Sequence, residues 1–313
     1  MKNKSNNLND NTSDSKKNVY ANSPSGVNEQ IQILQSRGLI IDDYEFAKDF
    51  LEEVYFHRFL SYSVPFLVKG NSHRYQAGTK FSTVVKVYEF DSQLRLLILG
   101  AIEKIEISVR TQFINLSWKY GPHFYLSHKL FRDHKLLNDS IERIQYQMKA
   151  SNDLLVNEYF SNYHDPQMPP VWSAVELVTI GQLSKWLMNL KQEEDKDAVA
   201  RRYKIHYSIL QAILDNLTLI RNSAAHHTRV WNQHYNFTCI IDDRHQSISH
   251  ALCDGNKIYG VLLLITYILK TLGMEQPFFN RLTELINIYE IDIAEMGFPN
   301  TWQQHFDDVI HGK

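Results

Sequence analysis

Residues 207–232, YSILQAILDNLTLIRNSAAHHTRVWN, constrain the fold more than any other stretch of the chain. Leu210, Ile213, Leu214, Leu217 and Ile220 recur every three or four residues, the interval that lines one face of an α-helix. The spacing therefore predicts one amphipathic helix across the whole stretch. On an ideal helix of about 100° per residue, Asn222, His226, Arg229 and Gln233 fall together opposite the leucines. Arg221 stands at the border, its stem against the core and its guanidinium within reach of His226. His227 aligns with Trp231 four residues on, at the apolar side, and reads as a packed, orienting residue.

A cation and an imidazole on one face, with no carboxylate between them, suit a phosphodiester. Arginine offers a planar fork of donors for phosphate oxygens, and histidine exchanges its proton near neutral pH. The same spacing also fits an ordinary solvated helix end, where basic side chains complement the helix dipole. Spacing alone favours that plainer reading.

The remainder of the chain bounds the alternatives. Formal net charge is −2, so the chain lacks the overall basic excess of a general nucleic-acid coat, and any RNA contact must be local. Arg201, Arg202 and Lys204, in ARRYKIH just before the helix, form the densest basic patch near it and are candidates for RNA backbone contacts. The two cysteines, Cys239 and Cys253, form no CxxC pair and follow no secretory signal. They are expected as unpaired thiols in a cytoplasmic, reducing setting. The longest apolar run, residues 259–269, falls short of the roughly 20 residues a bilayer span needs, so no membrane partner is expected. No GxGxxG, GxxxxGK[ST], GxSxG or HExxH occurs. Of the histidines, none has partners at zinc-site spacing, so neither metal nor cofactor is expected.

Residues 1–26 are polar and read as a disordered tail. Helices follow, one ending at Gly38 and another capped by Asp42 or Asp43. His57 and Arg58 read as packed structural groups, and residues 69–80 as a solvated basic loop. Ser82 is placed to cap a long helix, broken near Asp91, whose part from Leu94 to Phe113 carries apolar residues all round. There Glu103, Glu106 and Arg110 need partners. Glu106 and Arg110 suit an i, i+4 ion pair, and the functional alternative is that a carboxylate orients Arg221 or His226. Residues 171–190 read as one amphipathic helix in which Gly181 permits close packing, with Glu176 and Ser184 as further packing sites. KQEEDKD reads as a solvated connection. FTCIIDD is ambiguous between a strand and a buried segment, two further helices occupy about 257–272 and 277–289, and 297–313 reads as a loose end.

The motif RNSAAHHTRVWN resembles the Arg-x4-6-His signature of the HEPN superfamily of all-helical nucleases, as carried by abortive infection (Abi) proteins of the AbiD/AbiF type. Two further stretches carry the likeness: RGLIIDDYEFAKDFLEEVYFHRFLSYSVPF, followed by FSTVVKVYEFDSQLRLLILGAIEKIEISVRTQF, and PPVWSAVELVTIGQLSKWLMNL. The resemblance implies an all-α, HEPN-like multi-helix bundle over residues 27–240, with N-terminal helical elaboration and a C-terminal helical extension over 241–313. It implies a metal-independent endoribonuclease that leaves 2′,3′-cyclic phosphate ends and acts as a toxin-like effector in phage defence. The alternative is a non-catalytic module that holds a regulatory RNA or a protein. In the first reading His226 is the general base, Arg221 steadies the phosphate, Asn222 positions it, and Arg229 binds a neighbouring phosphate. Glu103, Glu106, Arg110, His227, Trp231 and Asn232 support them. RNA is the expected partner and DNA is not. One histidine per polar face leaves the leaving group without an acid, so a homodimer with a composite site is expected.

Overall fold

The computed structural model describes residues 25–150, 154–239, 246–253 and 256–311. Nearly all its regular structure is helical, and the sheet among the described residues is a two-stranded hairpin, so the chain is all-α. Residues 1–24 of the expected tail lie outside the described residues, as do 240–243 of FTCIIDD. The chain forms two compact units: one runs to Arg58 and takes in Val64–Ser82, and the other comprises Phe59–Ser63 and everything from Thr83 on.

The chain opens with α1 (Val27–Ser36), α2 (Tyr44–Glu53) and α3 (Phe56–Ser63). Gly38, at φ +89°, supplies the left-handed residue that closes α1. Asp43 caps α2 by accepting from the Phe46 amide at 3.0 Å. Residues 69–80 are more ordered than a solvated loop, because β1 (Leu67–Val68) pairs antiparallel with β2 (Asn71–Tyr75). The next helix, α4 (Phe81–Ile114), takes its capping carboxylate from Asp42, which accepts from the Ser82 amide at 3.2 Å and from its hydroxyl. Ser82 is thus capped rather than capping.

Over 34 residues α4 runs without a break at Asp91. Of the apolar stripe Leu94, Leu97, Ile98, Ala101, Ile105 and Val109, all are buried but the half-buried Leu97, whereas Leu96 and Ile107 are exposed. The helix therefore keeps one face in solvent, where Glu103 lies, and Glu103 needs no partner.

Short elements follow: α5 (Ser117–Tyr120), α6 (His134–Ala150), α7 (Leu154–Asn162), α8 (Val171–Ala174) and α9 (Ile180–Asn189). Residues 171–190 do not form a single helix, because Thr179 is extended and caps α9 in a reciprocal box with Gln182. Gly181 then sits against α11 (Tyr207–Ala225): a Cβ at that position would lie 3.0 Å from Thr218 Cγ2. Gly181→Leu should consequently cost about 1–3 kcal/mol by overpacking. An unchanged melting temperature would show that α9 can move aside at no cost.

KQEEDKD is a helix rather than a solvated link, most of it within α10 (Glu193–Ala200). Asp195 is buried because Lys119 Nζ and Tyr120 Oη donate to its carboxylate at 2.8 and 2.7 Å. The C-terminal part comprises α12 (Gln246–Cys253), α13 (Ile258–Leu272), α14 (Glu275–Tyr289) and α15 (Trp302–His311). α13 is buried along nearly its whole length, as its apolar run predicts. The end of the chain is not loose: Phe306 is fully buried, and Lys270 Nζ donates to the Val309 carbonyl at 2.9 Å.

Cys239 and Cys253 are joined in a disulfide, with their Cα atoms 4.8 Å apart, and are not free thiols. A reducing compartment therefore no longer follows from unpaired cysteines. No described helix is long and apolar enough to cross a membrane.

Candidate functional site

The buried face of α11 includes the expected residues, Leu210, Ile213, Leu214, Leu217 and Ile220, together with Ala212, Asn216 and Ala224. Its other side is open to solvent at Gln211, Asp215, Leu219, Asn222 and His226. The helix stops earlier than its periodicity suggests. Ala225 is its last residue, His226 is the C-cap, and His227 adopts a left-handed backbone at φ 58°. The Thr228 amide donates to Ser223 O at 2.9 Å and the His227 amide to Ala224 O at 3.1 Å, the two bonds of a Schellman stop. Arg229, Trp231, Asn232 and Gln233 therefore leave the helix.

A buried carboxylate explains the exit. Asp91 on α4 is fully buried, and its Oδ1 accepts from the amides of Val230 at 2.9 Å and Trp231 at 2.6 Å. These amides could not make both those bonds and helical ones. Tyr62 Oη donates to Asp91 Oδ2 at 2.6 Å, and the Arg95 guanidinium donates to the same oxygen and to Tyr62 Oη. Burial pushes the Asp91 carboxyl up, opposed by Arg95, by the Tyr62 hydroxyl and by the two amides. Beyond this anchor the chain returns along α11. The Asn216 side chain brackets Thr238, donating to its carbonyl at 2.9 Å and accepting from its amide at 2.7 Å.

Arg221 Nη1 lies 3.5 Å from Asn222 Oδ1, and among the described residues no carboxylate pairs with Arg221. Asn222 and His226 are exposed beside it. Sequence spacing thus brings this trio to one helix end. His227 is also exposed, rather than packed on the apolar side, because the left-handed turn redirects it. Trp231 is buried, and Asn232 carries a second positive φ of 46°. Arg229 is half-buried and donates through Nη1 to the carbonyl of Ser61 on α3.

Other candidates lie apart from the trio or face different partners. Glu106 and Arg110 form the expected pair at 2.7 Å, and Arg110 also donates to Val178 O at 2.9 Å and approaches Glu176 at 3.4 Å. Among the described residues neither Glu103 nor Glu106 hydrogen-bonds Arg221 or His226. Arg201, Arg202 and Lys204 are exposed, but they precede α11 and are separated from its far end by a 19-residue helix, about 28 Å of rise. Arg202 also donates to Thr271 O at 2.5 Å. No cluster of three or more metal-ligating side chains occurs among the described residues.

The Asp91, Tyr62 and Arg95 cluster is nearly silent in the sequence. Its one local signal is an aspartate four residues before an arginine inside an apolar helix, the spacing of an ion pair. Comparison with known sequences places residues 49–232 in a family model described as Abi-like protein, a match that takes in α4, α9 and the Arg221 to His226 segment. Comparison with curated proteins and with solved structures found no match to the chain.

Proposed function

The chain belongs to the Abi-like protein family, and from that premise we propose that it is a metal-independent ribonuclease of HEPN type, akin to AbiD/AbiF, acting as a toxin-like effector in abortive infection. One observation carries the reading: a half-buried guanidinium with no carboxylate partner among the described residues, beside an exposed asparagine and an exposed imidazole at the end of α11. A lone solvated arginine has many uses, but this set supplies what a phosphodiester needs.

His226 takes the proton from a 2′-hydroxyl, whose oxygen attacks phosphorus. Arg221 stabilises the charge gathering on the phosphate oxygens, and Asn222 orients the phosphate or the ring. The products are a 2′,3′-cyclic phosphate and a 5′-hydroxyl end. Arg229 contributes its remaining donors to a neighbouring phosphate. Two copies associate through the exposed face of α11, where Leu219 is 38% exposed, placing two such sites side by side.

The test is whether purified protein cuts RNA in the presence of EDTA and whether His226→Ala stops it without weakening RNA binding. Binding without cleavage in the wild type would replace this reading with that of a non-catalytic RNA-holding module. Neutralising Arg201, Arg202 and Lys204 should flatten the salt dependence of RNA affinity, by roughly 0.7 in the log–log slope for each phosphate that they bind. An unchanged slope would make them ordinary surface charges and confine RNA to the opposite end of α11.

A further inference from the structure

We infer that His227 is the general acid of the same site, so that one chain holds both proton-transfer groups; this rests on the ribonuclease reading above. The cleavage reaction needs a base for the 2′-hydroxyl and an acid for the departing 5′-oxygen. A continuous helix would send His227 toward the core and leave one imidazole per chain. The helix instead stops at Ala225, and both His226 and His227 are exposed in the turn that closes it. Their Cα atoms are neighbours across one peptide, about 3.8 Å apart. Both imidazoles therefore stand on the same exposed turn that follows Arg221.

The backbone supplies an independent observation. His227 occupies the left-handed position of a Schellman stop, at φ 58°, with the bonds Thr228 to Ser223 and His227 to Ala224 made. Glycine is the residue this position favours, because a Cβ is strained there. Strained non-glycine residues cluster where a side chain is required for function. Among the described residues nothing hydrogen-bonds either imidazole, so neither ring is held by a structural task.

The step balances without further reactants. His226 accepts the 2′-hydroxyl proton, the 2′-oxygen forms its bond to phosphorus, the bond from phosphorus to the 5′-oxygen breaks, and His227 gives its proton to that oxygen. Exchange with water returns both rings to their starting states.

The position makes a clean variant available. His227→Gly removes the ring and relieves the strain, so folding is preserved, and His227→Asn tolerates the same backbone and serves as a second variant. Each is assayed on an oligonucleotide with one ribose linkage and on its analogue with sulfur in place of the bridging 5′-oxygen, whose thiolate leaves without a proton. Both variants should cut the oxygen linkage about 10² to 10⁴ times more slowly than wild type and cut the sulfur linkage at nearly the wild-type rate. His226→Ala should be slow on both. Mixing His226→Ala chains with His227→Gly chains should restore nothing, because each chain lacks one of its own two groups. Wild-type rates in the His227 variants, equal slowing on both linkages, or activity restored by mixing would overturn the assignment. Wild-type protein that cuts neither linkage would instead remove the ribonuclease reading, and this inference with it.

Discussion

Replacing His226 with alanine is expected to reduce RNA cleavage by about 10² to 10⁴-fold, the usual worth of a positioned general base, with little change in stability. Arg221→Ala should lose about 10² to 10³-fold, as expected when one electrostatic contact to the developing charge is removed. The expectation of a quiet melting curve comes from the contacts. His226 is exposed, and the side-chain contact of Arg221 is a marginal 3.5 Å approach to its neighbour Asn222. Substitutions at such sites usually stay within about 0.5 kcal/mol. Arg221→Lys sharpens the test, since lysine keeps the charge and loses the planar fork. If positioning of phosphate matters, lysine should bind RNA and cut it poorly. Full cleavage by either alanine variant would remove that residue from the chemistry, and a large drop in melting temperature would assign it to the fold instead.

The largest effect on stability is expected at Asp91. Asp91→Ala should destabilise the protein by about 3–5 kcal/mol, because removing one partner of a buried ion pair leaves the other charge uncompensated. Arg95, 5% exposed, would be that charge. The same truncation deprives the Val230 and Trp231 amides of their acceptor, and these are the bonds that turn the chain out of α11. Chemical denaturation measures the total. Hydrogen exchange at Val230 and Trp231 measures the local part, and both amides should exchange much faster in the variant. Asp91→Asn should fall between, because its amide oxygen still accepts from the two backbone amides while its amide nitrogen faces the Arg95 and Tyr62 donors. A loss below about 1 kcal/mol in Asp91→Ala, with unchanged exchange, would mean that the turn at His226 is stable on its own.

Local pattern was enough for the existence and type of most elements. The three- and four-residue recurrence of Leu210 to Ile220 identified the buried face of α11, because a helix that must hide one side repeats its apolar residues at the helical period. The near-continuous apolar run identified α13 as a core helix, Gly38 marked the end of α1, and Gly181 marked a close approach between helices. Arg221, Asn222 and His226 could be grouped from sequence because they share the last turn of one helix and its C-cap, where separation along the chain fixes separation in space.

Tertiary structure decided what distant residues control. Neither glycine nor proline marks the end of α11. The helix ends where the carboxylate of Asp91, 139 and 140 residues earlier in the chain, takes the amides of Val230 and Trp231. That one buried acceptor removes Arg229 and Trp231 from the helix and leaves His227 exposed instead of packed. The burial of Asp195 has the same origin in partners remote along the chain, Lys119 and Tyr120. Helical periodicity reports which face of an element is apolar, but not which buried polar group elsewhere will claim its backbone bonds, and an unsatisfied buried carboxylate costs enough free energy to overrule local preference.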